Sequence, residues 1–266
     1  MSNSSQTAPI TARLANFGSS LTYEDLTPEA VQATKDLCLD FLGVAVNGST
    51  TPSSRSVLAA IQRLGRAWDG NEGVYGGGSA VFGSSLRAFP EYAALVNGTS
   101  GHSIELDDVN NESSLHPGVA VFPAAFAMAD AQPIDGRSFI TAAALGYDVM
   151  VRLGRALKAS EHYRHGFHPT GTCGVFGAAS VVSSILGLDQ EGHARALGIA
   201  GSQTAGSLEF LTDGSWTKRL HPGWAAHSGL LAALMAREGF LGPGSIIEGK
   251  NAVSYTHLTL PTNREV

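Results

Sequence analysis

The sequence lacks the marks of several partner classes. It has no basic run and no stripe of mixed aromatic and basic residues, and 17 Lys and Arg stand against 23 Asp and Glu for a net charge of −6. A nucleic-acid footprint is therefore not expected. An acidic chain can still bind an anionic substrate, provided a few cations line the pocket. No apolar run approaches the roughly 20 residues a bilayer span requires. Residues 1–9 are mostly polar, with no basic stretch leading into an apolar one, so neither a membrane nor a secretory route is indicated and the expected setting is the cytoplasm. Cysteine is scarce. Cys38 and Cys173 stand far apart in apolar segments and read as buried free thiols of a reducing compartment. No repeat of about 20 to 50 residues is present. Strands and helices do not alternate, which disfavours a doubly wound nucleotide fold. The glycine cluster at 73–78 has no P-loop lysine beside it and reads as a turn.

What is present describes a globular protein. The chain has 266 residues, 43% hydrophobic and 15% charged, enough for one large domain or two small ones. Its 32 glycines follow no collagen-like period and suit loops and close helix packing.

Helical signals dominate. Thr27, Pro28 and Glu29 form an N-cap, a first-position proline and a first-turn acid, and Gly48 closes that element. Residues 54–68 form a second amphipathic candidate, with Val57, Leu58, Ile61 and Leu64 on one face. Residues 90–99 and 123–131 read as helices opened by proline, and Asp135 can cap a long run over 136–157. The segments 171–186, 194–205 and 223–238 are rich in small residues and apolar on most faces, as buried helices are. The best strand candidate is 73–82. From Val253 the style breaks: the tail has no periodicity and no caps, and it resembles the translation of a common transposase sequencing adapter. Residues 253–266 are therefore expected to be a non-native tail, and residues 1–252 an incomplete helical domain.

Three polar clusters could carry chemistry. In the first, Glu105, Asp107 and Asp108 lie between His102 and His116. Three carboxylates so close repel one another unless a metal, a cation, helix amides or solvent compensates. The plain alternative is an acidic helix start in water. His102 and Glu105 also form an H-x-x-E pair, but no matching second pair exists, so no metal is expected. In the second, His168 stands before Pro169 and Gly171 at the start of a buried helix, where it can face a substrate carboxylate or serve only as a cap. In the third, Lys218, Arg219 and His221 gather cations ahead of another apolar helix, flanked by Trp216, Leu220 and Trp224. A solvated basic loop is the alternative there. Together the clusters hold what is needed to remove a proton next to a carboxylate and to stabilise the resulting charge.

These words also occur in a known order. Asn97-Gly, His102-x-x-Glu105-x-Asp107-Asp108 and His116-Pro-Gly with Pro123-Ala-Ala resemble the signature of the MmgE/PrpD family. So do Gly166-Phe-His168-Pro-Thr-Gly, Gly201-Ser-Gln, and Lys218-Arg-Leu-His221-Pro-Gly-x-Ala-Ala-x-Ser-Gly229. Leu39-Asp-Phe-Leu-Gly-Val and Arg237-Glu-Gly-Phe-x-Gly-Pro fit as well. The resemblance covers residues 12–252. It implies an all-α, multi-helical main domain, here without its smaller α+β lid, and a homodimer when complete. Its members dehydrate 2-methylcitrate, decarboxylate cis-aconitate or epimerise a related imino diacid, without an iron–sulfur cluster. Neither a metal nor a cofactor is expected. By position the catalytic residues would be Glu105, His116, His168 and Lys218, with His102, Asp108, Arg219 and His221 around a small polycarboxylate. Lys218 would pair with a substrate carboxylate. His168 or His116 would exchange the proton, and Glu105 and Asp108 would orient a histidine or handle a leaving hydroxyl. Glu105 stands where the family often has Asp, and 109–115 is slightly longer than in decarboxylase-like members, so the substrate is left open. The expectation is a 2-methylcitrate dehydratase-like lyase. An epimerase of the same family, a metal-dependent helical hydrolase and an inactive helical fragment are the alternatives.

Overall fold

A computed structural model of the protein describes residues 8–69 and 78–253. The tail from 254 and most of the 73–78 glycine cluster lie outside the described residues. Within them the chain is a stack of helices with one small sheet. Helices α1 (Ile10–Ser20), α2 (Pro28–Gly48) and α3 (Pro52–Arg63) lead into strands β1 (Ala67–Asp69), β2 (Ser79–Ala80) and β3 (Leu86–Ala88). Helices α4 (Pro90–Gly101), α5 (Gly118–Ala131), α6 (Gly136–Leu157), α7 (Ala159–Arg164) and α8 (Pro169–Ile185) follow. Then come α9 (Gln190–Gly201), the single turn α10 (Phe210–Asp213) and α11 (Thr217–Arg237). The sheet is antiparallel in the order β1-β3-β2, with Trp68 opposite Arg87 and Ser79 opposite Ala88. No described helix is long and apolar enough to cross a membrane.

The capping signals lie where the helices begin. Thr27 Oγ1 accepts the Ala30 amide at 3.2 Å, and Asp135 Oδ1 accepts the Ser138 amide at 2.7 Å. Elsewhere the boundaries differ from those expected. The second helix spans Pro52–Arg63, not 54–68, because Gly65 takes a left-handed φ of 65° and turns Trp68 into β1. Pro123 does not open α5 but lies inside it; the helix starts five residues earlier, where Asp108 Oδ1 accepts the Gly118 amide at 2.9 Å. Likewise α11 starts at Thr217, not at 223, and holds Pro222 in its second turn. Lys218, Arg219 and His221 therefore ride on a helix and not on a loop. Helix α9 begins at Gln190 behind Asp189, which accepts the Gly192 amide at 2.8 Å. Of the strand candidate 73–82, the described part supplies β2.

Helix α8 is buried along nearly its whole length, between α6 and α11. Its Phe176 and Val182 share one core with Met150 of α6 and Leu230 of α11. A second cluster around Phe41, Phe122 and Val181 joins α2 and α5 to it, with the Phe41 and Phe122 rings stacked at 5.8 Å. Small residues let α4 and α11 approach backbone to backbone: a Cβ on Gly98 would lie 2.7 Å from the Gly223 Cα. That crossing sets the first turns of α11 beside the end of α4, where the polar clusters meet.

Candidate active site

The site forms where α4 ends. The helix stops at Gly101, and His102 is its C-cap. The segment to His116 is therefore irregular, and His102 and Glu105 do not share a helix face as the H-x-x-E spacing suggested. Nor is the acidic run a helix start. Glu105 has φ 54°, a left-handed backbone that costs a non-glycine residue about 1 to 2 kcal/mol. That turn sends Glu105 one way and Asp107 the other.

Asp107 is the centre of the buried half. Its Oδ2 accepts a hydrogen bond from His102 Nδ1 at 2.8 Å, and His116 Nδ1 lies 3.1 Å from the same oxygen, off the hydrogen-bond direction. Burial opposes a charge here, but the two imidazoles outweigh it and hold the Asp107 carboxyl well below its usual range. Burial also works against a proton on His116, and the Asp107 carboxylate beside it again prevails, raising the pKa above the usual value. Among the described residues, His102, Asp107 and His116 are also the group that could hold a metal ion, with ligand atoms within 4.8 Å of one another.

Glu105 faces the third cluster. Lys218 Nζ donates to its Oε2 at 2.8 Å, with a quarter of the lysine side chain exposed. The lysine lowers the Glu105 pKa. Lys218 is also close enough to lower the pKa of both His116 and His168, so cation and imidazoles are near neighbours.

His168 is the N-cap of α8 and is almost fully buried. Its ring lies 5.8 Å from that of His102 and its Nδ1 is 3.1 Å from His221 Nδ1. One of those two nitrogens donates and the other accepts, so the neutral rings hold opposite tautomers. Burial, followed by the neighbouring His102, His221 and Lys218, pushes His168 down to about 2. Burial and then His102 push His221 down to about 4. Beside His221 opens a groove of about 350 Å³, lined by Gly171, Gly206, Leu220 and Trp224 among others. A larger hollow of about 790 Å³ around Tyr23 and Arg137 holds no histidine, cysteine or lysine.

Two expected site residues face elsewhere. Asp108 turns to α5 and α6, where Oδ1 accepts the Gly118 amide and Oδ2 accepts Tyr147 Oη–H at 3.2 Å. Burial, relieved in part by the Gly118 amide, raises its pKa to about 6. Arg219 Nη1 donates to Ser53 Oγ at 3.3 Å, beside the buried hydroxyls of Ser54 and Ser103. Three residues given no site role from the sequence support the site. Asp107 joins the histidines, and Thr170 Oγ1 accepts the His116 amide at 3.2 Å. Thr172 Oγ1 lies 3.0 Å from His162 Nε2. Asp107 was visible as a member of the acidic run; its partners were not.

Comparison with known proteins gives the arrangement a family. A model of the MmgE/PrpD N-terminal domain matches residues 12–264. The cis-aconitate decarboxylase-like protein oryM of Aspergillus oryzae is 30% identical over 240 residues, 88% of this chain and 48% of that protein. The cis-aconitate decarboxylase of Aspergillus terreus is 29% identical over 244 residues, 90% of this chain and 48% of its own. That of Homo sapiens is 31% identical over 247 residues, covering 89% and 49%. The chain spans about half the length of the curated relatives it matches. With its helical body, its ordered motifs and a matching family model along nearly all of its length, the chain belongs to the MmgE/PrpD family.

Proposed function

We propose that the complete protein is a lyase acting on a small di- or tricarboxylate, with proton transfer at a carbon next to a carboxylate as its chemical step. The observation that carries this reading is the nearness of Lys218 to an Asp107-backed His116. A lysine seats a carboxylate, and an imidazole poised near neutral pH removes a proton beside it.

In this reading a substrate carboxylate displaces Glu105 from Lys218. The C–H bond next to it breaks, the proton passes to His116, and the electron pair moves onto the carboxylate oxygens facing Lys218. In a dehydration the pair then forms the double bond as hydroxide leaves with a returned proton. In a decarboxylation the pair comes instead from the broken C–C bond, and the imidazolium protonates the carbon that keeps it. His168, whose pKa burial lowers, offers hydrogen bonds to the substrate. The dehydration of 2-methylcitrate, suggested by the motifs, and the decarboxylation of cis-aconitate, suggested by the named relatives, both draw on this machinery. Incubating the full-length protein with each compound and following products by proton NMR tests the proposal. Loss of water or carbon dioxide from either supports it; inertness toward both and toward related di- and tricarboxylates contradicts it.

A further inference from the structure

Asp107 lies at the centre of the buried polar cluster. Its side chain is 1% exposed, and three buried atoms of this cluster have no hydrogen-bond partner among the described residues: Asp107 Oδ1, His116 Nδ1 and His102 Nε2. A donor and an acceptor buried side by side are stabilised by pairing with each other. Two of the three are complementary. His116 Nδ1 is already 3.1 Å from the carboxylate and needs only realignment to donate to it. The His116 ring has room for this, because its side chain is 23% exposed while Nδ1 itself is buried. The accessible part of the ring is therefore the side away from Asp107, where Nε2 lies. Hydrogen bonds of this kind often tighten only in the substrate complex.

We infer that Asp107 is the positioning residue of the site: it holds the Nδ1 side of both histidines, fixes His116 as the Nδ1–H tautomer and leaves Nε2 free for the substrate proton. His102, donating to the same Oδ2 at 2.8 Å, holds the carboxylate in place. The inference rests on the proton-transfer reading above for its use, but not for its structure. When His116 takes the substrate proton, the new N–H forms at Nε2 and the C–H bond breaks. The Nδ1–H stays where it is, and Asp107 stays a carboxylate that stabilises the imidazolium.

The test combines spectra with kinetics on the full-length protein. Nitrogen-15 spectra of labelled histidine should show His116 protonated at Nδ1 and bare at Nε2 in the wild type. In Asp107→Asn the two tautomers should mix. That variant should lose about 10²- to 10⁴-fold in kcat with little change in KM, and Asp107→Glu should recover part of the loss. A neutral wild-type His116 protonated at Nε2 overturns the inference even if no variant folds. So does an Asn variant with wild-type kcat, or stoichiometric Zn²⁺ binding that Asp107→Asn abolishes. If the tautomer behaves as expected but no carboxylate substrate turns over, Asp107 keeps its role and the lyase reading fails.

Discussion

His116 and His168 flank the same His102 ring, at centroid distances of 4.8 and 5.8 Å, yet their protonation differs. Asp107 raises His116, whereas burial and four basic neighbours drive His168 down to about 2. In a dehydration His116 must be unprotonated to act, so kcat/KM should rise with pH as it loses its proton. In a decarboxylation the imidazolium gives the proton, so kcat/KM should fall. Either midpoint should lie above the ordinary imidazole value of about 6.5. The His168→Gln variant should turn over more slowly but keep that midpoint; a midpoint that moves with His168 would assign the base to it. Lys218→Ala should lower turnover by orders of magnitude, and near-wild-type turnover would remove Lys218 from the site. The two adjacent aspartates also act on stability with opposite signs. Asp107 is held low, so its pairing contributes above the unfolded carboxyl value of about 3.9 and is lost as pH falls through its folded value. Asp108 is raised to about 6, so its ionisation costs stability as pH climbs from about 4 to 6, by an upper bound of about 3 kcal/mol. Asp108→Asn keeps an acceptor for the Gly118 amide. It should therefore melt at higher temperature than wild type at pH 8 and lose that advantage near pH 4.

At the scale of elements, the crossing of α4 and α11 positions the lysine. A Cβ on Gly223 would lie 2.3 Å from the Leu95 carbonyl oxygen and 2.5 Å from Thr99 Oγ1. Gly223→Ala should cost about 1 to 3 kcal/mol and lower turnover too, because the same helix carries Lys218 five residues earlier. Gly43, exposed on α2 with nothing within 4 Å of a Cβ, provides the contrast: Gly43→Ala should stabilise by about 0.5 to 1 kcal/mol. Thermal unfolding of both variants checks the pair. This scale also shows what the sequence could reveal. Helices with a local cap, at Thr27 and Asp135, were legible to the residue, since cap and amide are three positions apart. Helix α5 was not, because the residue accepting its first amide is Asp108, ten positions upstream across an irregular turn. Helix α11 was read short; Pro222 lies in its second turn, where a proline removes one helical amide bond and normally argues against a helix. The site was legible as a set of residue types, and Lys218, Glu105 and the histidines do converge. Which carboxylate faces which histidine depends on the left-handed turn at Glu105, and no spacing rule encodes that.

The whole molecule is a helical body whose small residues bring chain segments into contact far apart in sequence. Thr11 near the start of α1 binds Glu248 through both its amide and hydroxyl, at 3.1 and 2.6 Å. Cys173 lies fully buried in the core, and burial pushes its thiol up to about 12. Cys38 is half-buried with a smaller rise. A thiol reagent should therefore label Cys38 first in the native protein and reach Cys173 only on unfolding; early labelling of Cys173 would mean that the core opens locally. The central claim is that this body brings a base to a carbon next to a carboxylate. The most direct measurement is solvent-deuterium incorporation by the full-length protein in D₂O, read by NMR on product and recovered substrate. The account predicts deuterium at the carbon next to a carboxylate, abolished by His116→Gln. A substrate turned over with no deuterium at that carbon, or incorporation unaffected by His116→Gln, would contradict it.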